Sequence, residues 1–387
     1  MILSTLHDGD KIVIPRNAHK SIMSAIILSG AIPIYIDPEV NDILGIAQGV
    51  TTKSVKKALE KNPGTKAVLI INPTYYGVTS DILRIAKIVH SYHIPLLVDE
   101  AHGPHLAFSN DLPVSALEAG ADICCQSTHK ILGAMTQCSV LHLKSRYISA
   151  KKVQHVLNLL QTTSPSYILM ASLDCARKQI ALQGKELINY VLSLSNYART
   201  EINKVPGLYC FGKELIDHKC VYDIDTTKIT INCRNLGITG IELETILIHD
   251  FNIQIELSDF YNVLAVCTFG DLKETIDTLI TALKKISKSH YGIKPPLNGF
   301  NYIPAHPAKK MEPRQAFFHS KKSLSIMNSV GKISGEFLMA YPPGIPILCP
   351  GETITKEIID YVYEMKQCGL KLQGTEDPDV TNINVIF

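Results

Sequence analysis

The sequence lacks several features that would assign it to a specialised protein class. Its 387 residues include no tryptophan, and 38 basic residues nearly balance 36 acidic ones, for a formal net charge of +2. A chain without a strong charge of either sign is not predicted to bind nucleic acid or a membrane surface. No apolar run approaches the roughly 18 residues of a membrane-spanning helix. Ten cysteines occur without any CxxC spacing. Such cysteines are typical of free thiols in a reducing compartment, so we expect a cytoplasmic location.

The first third of the chain alternates between apolar runs and amphipathic stretches. Lys11–Ile14, Ile32–Ile36 and Ala67–Ile71 are apolar runs that predict strands, while Ser21–Leu28 and Thr52–Lys61 predict helices between them. Strands that alternate with helices at this spacing are typical of an α/β fold with a mostly parallel sheet covered on both faces.

Beyond Lys144 the pattern changes to long helices followed by a second, smaller α/β unit. A short helix is also expected at Ser115–Ala119, before this change. The later predicted elements are helices at Tyr147–Leu160 and Ser166–Gly184, and strands at Lys228–Asn232, Asn252–Glu256 and Val263–Cys267. We therefore expect a large domain at 1–165, linking helices with a small α/β domain at 166–290, and a C-terminal domain at 291–387.

Two reactive side chains stand at the ends of neighbouring predicted strands. Leu96–Asp99 ends in a carboxylate, and a second strand, beginning at Ala121, is predicted to run into Lys130. This pair suits pyridoxal phosphate, because a lysine can form a Schiff base with the cofactor aldehyde. An aspartate can keep the pyridine nitrogen protonated. The alternatives are a solvated surface lysine and an aspartate that caps a helix.

The sequence around Asp99 also permits two other interpretations. Asp99-Glu-Ala-His102 spells a helicase box, but a nucleotide-driven motor needs a GxxxxGK[ST] stretch, and the sequence contains none. Asp99, His102 and His105 could instead be metal ligands. Gly103-Pro104 between the histidines argues against a helical HxxH pair, so we expect no metal.

Five motifs spread over nearly the whole chain resemble the fold-type-I pyridoxal-phosphate decarboxylases of ornithine, lysine and arginine, and the shorter Gram-positive-type branch most of all. The motifs are Arg16-Asn-Ala-His-Lys-Ser21, Asp99-Glu-Ala-His-Gly-Pro-His105, Gln126-Ser-Thr-His-Lys130, Thr162-Thr-Ser-Pro-Ser-Tyr167 and Tyr341-Pro-Pro-Gly-Ile-Pro346. The resemblance implies an aspartate-aminotransferase-like large domain, a small α/β domain and a C-terminal domain of the decarboxylase type.

The resemblance also implies roles for individual residues. Lys130 corresponds to the Schiff-base lysine, Asp99 to the partner of the ring nitrogen, and His19 to the imidazole that stacks on the ring; these are the expected catalytic residues.

Five further positions are expected to contact the cofactor or its surroundings. Ala101 resembles the alanine under the other ring face, and Ser127 and His129 resemble donors to the phosphate and neighbours of the lysine. His102 is expected near the substrate carboxylate or a cofactor oxygen. Thr163, or its neighbour in the same turn, is expected to reach the phosphate of an adjacent subunit.

The function implied is decarboxylation of a basic amino acid to CO2 and a polyamine precursor, with arginine as first choice and lysine or ornithine next. A homodimer or higher homo-oligomer is expected. Relatives carry a further N-terminal segment with a phosphate-binding loop, and we expect this chain to lack it. The alternatives are therefore a catalytically silent partner of a longer decarboxylase, or another fold-type-I enzyme such as an aminotransferase or lyase.

Overall fold

The computed structural model describes residues 1–297, 304, 306–341 and 345–387, with the side chains of 340 and 341 left out. Part of the Tyr341–Pro346 motif therefore lies outside the described residues. The helices are α1 Ile2–Thr5, α2 Lys20–Ser29, α3 Thr52–Lys61, α4 Ile82–Ser91, α5 Thr128–Ile131, α6 Ala150–Leu160, α7 Tyr167–Ile202, α8 Gly240–Phe251, α9 Lys273–His290, α10 Pro313–Phe318 and α11 Lys356–Gln367.

Short strands form one large sheet and several small ones. They are β1 Lys11–Pro15, β2 Ile32–Ile36, β3 Val40–Asn41, β4 Ile46–Ala47, β5 Thr65–Ile71, β6 Val78–Thr79, β7 Leu96–Asp99, β8 Ile123–Gln126, β9 Val140–Leu143, β10 Tyr209–Cys210, β11 Asp223–Ile224, β12 Lys228–Asn232, β13 Leu257–Ser258, β14 Asn262–Val266, β15 Lys321–Ser325, β16 Leu338–Tyr341, β17 Ile345–Leu348, β18 Lys371–Gln373 and β19 Asn382–Ile386.

The large sheet has the strand order β2-β1-β5-β7-β8-β9, in which only β9 runs antiparallel to its neighbour. Alternate residues of each strand face opposite sides, so Val68 and Ile70 enter one hydrophobic cluster while Ala67 and Leu69 enter another. The predicted sheet, parallel and covered on both faces, is thus confirmed. Asp99 pairs in register with Ile71 and Cys125, which brings the carboxyl ends of β5, β7 and β8 together.

The smaller unit is built on the antiparallel sheet β10-β12-β14-β13, which packs against α8, α9 and the second half of α7 around one hydrophobic cluster. Helix α7 is 36 residues long and ends at Ile202. The sequence predicted that it would end at Gly184. A Cβ at position 184 would lie 2.8 Å from a Phe108 ring carbon. The glycine therefore permits close packing of α7 rather than ending it.

Two other predicted elements were wrong. Residues 115–119 form a turn rather than a helix, because Gly120 has a φ of +97° and the Ala121 amide returns to the Ala116 carbonyl. Residues 252–256 do not form a strand. Asn252 is the left-handed cap of α8, and strand pairing begins only at Leu257.

The C-terminal segment has its own hydrophobic cluster around α11, β16, β17 and β19. We propose that the division into 1–165, 166–290 and 291–387 is correct, supported by the separate clusters of the small sheet and of α11. All ten cysteines are free. Within the described ranges, none of the helices is both long enough and apolar enough to cross a bilayer.

A buried ion pair joins the C-terminal segment to the large sheet. Arg16, directly after β1, donates from both terminal nitrogens to Glu352, over 2.6 and 2.8 Å, and each side chain is only 3 % exposed. Arg16 also donates to the Ile347 carbonyl. The first residue of the Arg16–Ser21 motif therefore connects two distant parts of the chain.

Replacing Arg16 by methionine is expected to lower the free energy of unfolding by about 3–5 kcal/mol, because Glu352 would remain buried without a countercharge. Chemical denaturation followed by circular dichroism measures the change. The exposed Lys20→Met is the control, with an expected effect below about 0.5 kcal/mol. The double variant Arg16→Met/Glu352→Met should recover most of the loss. Equal effects of Arg16→Met and Lys20→Met would contradict the assigned role.

Candidate active site

A cavity of about 480 Å³ opens at the carboxyl ends of β5, β7 and β8. Every residue expected to bind the cofactor or to catalyse, except Thr163, lines it. These residues are His19, Asp99, Ala101, His102, Ser127, His129 and Lys130. Ligands bind at this edge of parallel sheets because the loops that follow the strands converge there.

Asp99 is the last residue of β7. Its Oδ1 accepts a hydrogen bond from the Ala101 amide over 3.1 Å, which fixes the carboxylate at the cavity wall. Burial raises the pKa of Asp99, and the Ala101 amide and the charges of His19 and Lys130 oppose that rise. A cationic group bound to the carboxylate would lower the pKa of Asp99.

The sequence predicted Lys130 at the end of a strand, but the residue lies beyond the end of that strand. Strand β8 ends at Gln126, and Lys130 belongs to the four-residue helix α5. Its Nζ is 2.8 Å from Nε2 of His102 and 5.2 Å from the centroid of the Tyr75 ring. Burial lowers the pKa of Lys130, while the charges of Asp99 and Glu256 oppose this. A lowered pKa leaves more of the amine neutral and nucleophilic.

His102 holds the Lys130 amine in place. Its side chain is buried, and its pKa lies well below the ordinary value because of burial and the positive charges of Lys130 and Lys228. A neutral imidazole can accept a hydrogen bond at Nε2 from the Lys130 amine. The His102 ring also contacts the Tyr75 ring, with centroids 4.0 Å apart.

His19 combines a cavity position with a helix cap. Its Nδ1 accepts a hydrogen bond from the Ser21 amide over 3.3 Å, at the start of α2, and lies 2.9 Å from the Ser21 hydroxyl. Desolvation lowers the pKa of His19, and the charge of Asp99 opposes this. The cap fixes the ring orientation, which a stacking role requires.

The remaining predicted residues occupy distinct places. Ser127 precedes α5, and Nδ1 of His129 donates to the Cys138 carbonyl over 2.8 Å. Thr163 lies in the exposed turn between α6 and α7, outside the cavity of its own chain. Its expected contact with a neighbouring subunit stays a prediction.

A buried charge network supports the loop that carries His102. Asp225 contacts both Lys228, at 2.9 Å, and His105, at 3.0 Å, and all three side chains are fully buried. His105 is thus engaged by a carboxylate of the small unit. Among the described residues, no group of three or more His, Cys, Asp or Glu side chains could hold a metal ion.

Sequence reasoning missed Tyr75, Glu256 and Lys228. Tyr75 lies in the loop 72–77, which follows β5 and carries two adjacent tyrosines at the expected ligand-binding edge; that was the available signal. Glu256 and Lys228 come from the small unit and gave no local signal.

Behind Asp99, the fully buried Glu100 accepts hydrogen bonds from the Ala116 amide and the Gln126 amide group, both over 2.6 Å. Burial raises the pKa of Glu100 from 4.5 to about 7, so the folded state binds a proton more tightly than the unfolded state. This contribution to stability is complete below pH 4.5 and is lost as the pH rises through 7.

In Glu100→Gln, the loss of stability that Glu100 causes as the pH rises from 4.5 to 7 should disappear. Between pH 5 and 8 the free energy of unfolding of the parent should fall relative to the variant by about 2.5 kcal/mol. Denaturant titrations at several pH values, followed by circular dichroism, measure this. The exposed Glu186→Gln, on α7, is the matched control. Parallel pH profiles for the parent and Glu100→Gln would contradict the assigned pKa.

The donor set at the cavity fits pyridoxal phosphate. Lys130 offers a primary amine, Asp99 an acid for the ring nitrogen, His19 an aromatic face and Ser127 a hydroxyl donor for a phosphate. His129, whose Nδ1 donates to the Cys138 carbonyl, also lines the cavity. The cavity volume also lies within the roughly 300–1,000 Å³ of small-molecule sites.

Solved structures with this fold define the class of protein. Lysine decarboxylase of Francisella novicida superposes with a TM-score of 0.83 at 22 % identity, over 100 % of this chain and 68 % of that one. The alanine–glyoxylate aminotransferase of Nostoc superposes with a TM-score of 0.58 at 18 % identity, over 74 % of this chain and 77 % of that one. The fold is therefore that of the fold-type-I enzymes, which use pyridoxal phosphate.

Sequence comparison then identifies the family. The Orn/Lys/Arg decarboxylase major-domain model matches residues 1–275, and the C-terminal-domain model of the same family matches residues 298–379. The chain belongs to the Orn/Lys/Arg decarboxylases, a pyridoxal-phosphate-dependent family. It is 46 % identical over 387 residues to arginine decarboxylase of Halalkalibacterium halodurans, covering 100 % of this chain and 79 % of that relative. Arginine decarboxylase of Bacillus subtilis is 44 % identical over 388 residues, with the same coverage.

Proposed function

We infer that this chain removes the α-carboxylate of a basic amino acid, arginine first and lysine or ornithine next, to give CO2 and the corresponding amine. The observation that carries the proposal is the convergence of Lys130, Asp99 and His19 in one cavity. The arginine preference rests on the names of the similar relatives. The amine products would be agmatine, cadaverine or putrescine, all polyamine precursors.

Each cavity residue has a proposed task in binding the cofactor. Lys130 binds the cofactor aldehyde through Nζ, and Asp99 holds a proton on the ring nitrogen. His19 would hold the cofactor ring through its imidazole, and Ala101 would contact it through its methyl group. Ser127 and His129 donate to the phosphate. Bound pyridoxal phosphate supplies the electron-accepting ring that this chemistry requires.

Loss of CO2 breaks the bond between the α-carbon and the carboxylate carbon, and the electron pair stays with the former substrate. Asp99 would stabilise that charge by keeping the bound cofactor protonated. A proton must then reach the α-carbon, and the Lys130 amine is the proposed donor. His102, 2.8 Å from Nζ, orients that amine.

A CO2-release assay with arginine, lysine and ornithine in parallel tests the proposal, with the amine products identified by chromatography. We expect the highest kcat/KM with arginine. Activity on lysine alone would overturn the arginine assignment. Formation of an oxo acid or pyruvate instead of an amine would replace decarboxylation by an aminotransferase or lyase reaction.

The alternative is a catalytically silent partner of a longer decarboxylase. In that case the purified chain would release no CO2 from any of the three amino acids but would co-purify with an active homologue. The same assay, with the chain alone and with that homologue added, distinguishes the two roles.

We also propose that the chain functions as a homodimer or higher homo-oligomer in the cytoplasm. Exposed apolar side chains flank the turn with Thr163, since Leu159, Tyr167 and Ile168 are 79 %, 80 % and 70 % exposed. Large apolar side chains exposed near one turn support association. Light scattering on the purified chain measures its mass and so tests this association. The ten free cysteines support the cytoplasmic location, because free thiols are typical of a reducing compartment.

A further inference from the structure

The turn between β11 and β12 joins the small unit to the loops around the cavity. The Asp225 amide donates to the Gly77 carbonyl over 2.8 Å, at the end of the loop that follows β5. In addition, Arg199 of α7 donates to the carbonyls of Thr226 and Lys228, over 3.0 and 2.9 Å. These contacts fix the backbone that carries Lys228, the first residue of β12.

Lys228 has a fully buried side chain. Burial of an ammonium group is costly unless a counterion accompanies it. Asp225 is that counterion, 2.9 Å from the Lys228 Nζ and 3.0 Å from Nε2 of His105. Burial would raise the pKa of Asp225, but Lys228 and His105 hold it well below its usual range. Such a buried ion pair often gives no more stability than apolar side chains of similar volume, so its position calls for another explanation.

The Lys228 ammonium group faces the loop that carries His102. Its Nζ donates to the His102 carbonyl oxygen over 3.5 Å, a long hydrogen bond between the small unit and this loop. On the side chain of the same residue, Nε2 of His102 is 2.8 Å from the Lys130 Nζ. His102 is therefore held at its backbone by one lysine and holds the other through its ring.

The charge of Lys228 also acts on the reactive amine. Burial lowers the pKa of Lys130, Asp99 and Glu256 oppose this, and Lys228 lowers it further. Burial, Lys130 and Lys228 likewise lower the pKa of His102. The titratable groups that interact with the Lys130 amine thus include His19, Asp99, His102, Glu256 and Lys228. Lys228 is the member of this set that also holds the backbone of His102.

We propose that Lys228 is a positioning residue of the active site, which holds the His102 loop from the small unit and thereby aims the His102 imidazole at the Lys130 amine. Its positive charge also disfavours a second cation at Lys130. The effect on turnover rests on the function proposed above, whereas the effect on the amine does not. A displacement of about 1 Å in such a contact can lower a rate on the order of 10²-fold.

Replacing Lys228 by methionine removes the ammonium group and keeps an unbranched side chain. Competitive labelling with acetic anhydride across a range of pH, quantified at Lys130 by mass spectrometry, follows the titration of that amine in the chain freed of pyridoxal phosphate. The labelling midpoint should move to higher pH in Lys228→Met, because a neighbouring positive charge is lost. With cofactor added, kcat for CO2 release should fall by about 10- to 100-fold at nearly constant KM, since Lys228 acts through His102.

Two further variants separate this role from a loss of stability. Lys228→Met/Asp225→Asn leaves no unpaired charge in the turn, so it should fold even where the single variant does not. It should show the same direction of shift and a similar fall in kcat. Ile231→Ala, at a buried position of the same strand, weakens the small unit without a change of charge and should keep the parent midpoint. Circular dichroism checks that each variant is folded.

A parental midpoint or a parental kcat in Lys228→Met would overturn the proposal. An equal fall in kcat in Ile231→Ala would overturn it as well, because a general weakening of the small unit would then explain the loss. A midpoint that shifts in Lys228→Met, in a chain whose parent releases no CO2, would refute the proposed function alone.

Discussion

Replacing Lys130 by alanine is expected to abolish decarboxylation, with a fall in kcat on the order of 10⁴-fold or more, as is typical when a covalent nucleophile is removed. The reason is chemical. Among the described residues that line the cavity, Lys130 is the lysine. His102, the hydrogen-bond partner of Lys130, cannot form the bond that Lys130 is proposed to make with the cofactor aldehyde.

The first measurement is the visible absorbance of the purified chain after addition of pyridoxal phosphate. The parent should develop a band that borohydride removes, and Lys130→Ala should not. Lys144→Ala, a change at an exposed position after β9, is the matched control and should behave like the parent. A borohydride-sensitive band of equal intensity in Lys130→Ala would assign the bond to another lysine.

Replacing Asp99 by asparagine is expected to lower kcat by about 10²- to 10³-fold, the scale for loss of one electrostatic contact that acts at the developing charge. Asparagine keeps the size of the side chain and can still accept from the Ala101 amide. It cannot provide the negative charge that holds a proton on the ring nitrogen. The affinity for the cofactor should also fall by about 10-fold or more, since a hydrogen bond between charged groups is lost.

Both quantities are measurable on the same preparation, kcat by CO2 release and cofactor affinity by absorbance titration. Circular dichroism checks that Asp99→Asn is folded. Asp111→Asn, at an exposed position, should leave both values unchanged. If Asp99→Asn retained parental kcat, the assignment of Asp99 to the ring nitrogen would be wrong, even with a weakened affinity.

The sequence predicted the parallel sheet and the strand-end location of the cavity because both follow from local patterns. Alternating strands and helices fix the sheet, and the carboxyl ends of its strands fix where ligands bind. The family resemblance added residue identities such as His19, which no periodicity would have singled out.

The failures have physical causes that a single sequence does not display. Glycine usually ends a helix, yet at Gly184 it lets α7 pass close to Phe108. The Tyr75–Glu256 contact joins residues 181 positions apart, and no local pattern announces such a pair. Lys130 was placed at a strand end because its motif follows an apolar run, but the backbone turns into α5 first.

The ion pair between Arg16 and Glu352 can form only late in the synthesis of the chain. The two residues are 336 positions apart in the chain. At roughly 5–20 residues per second, about 20 to 70 s separate their emergence from the ribosome. Throughout that interval Arg16, three residues before His19, lacks the Glu352 carboxylate with which it pairs in the folded chain. The nascent chain therefore lacks this ion pair until the segment that contains Glu352 has been made.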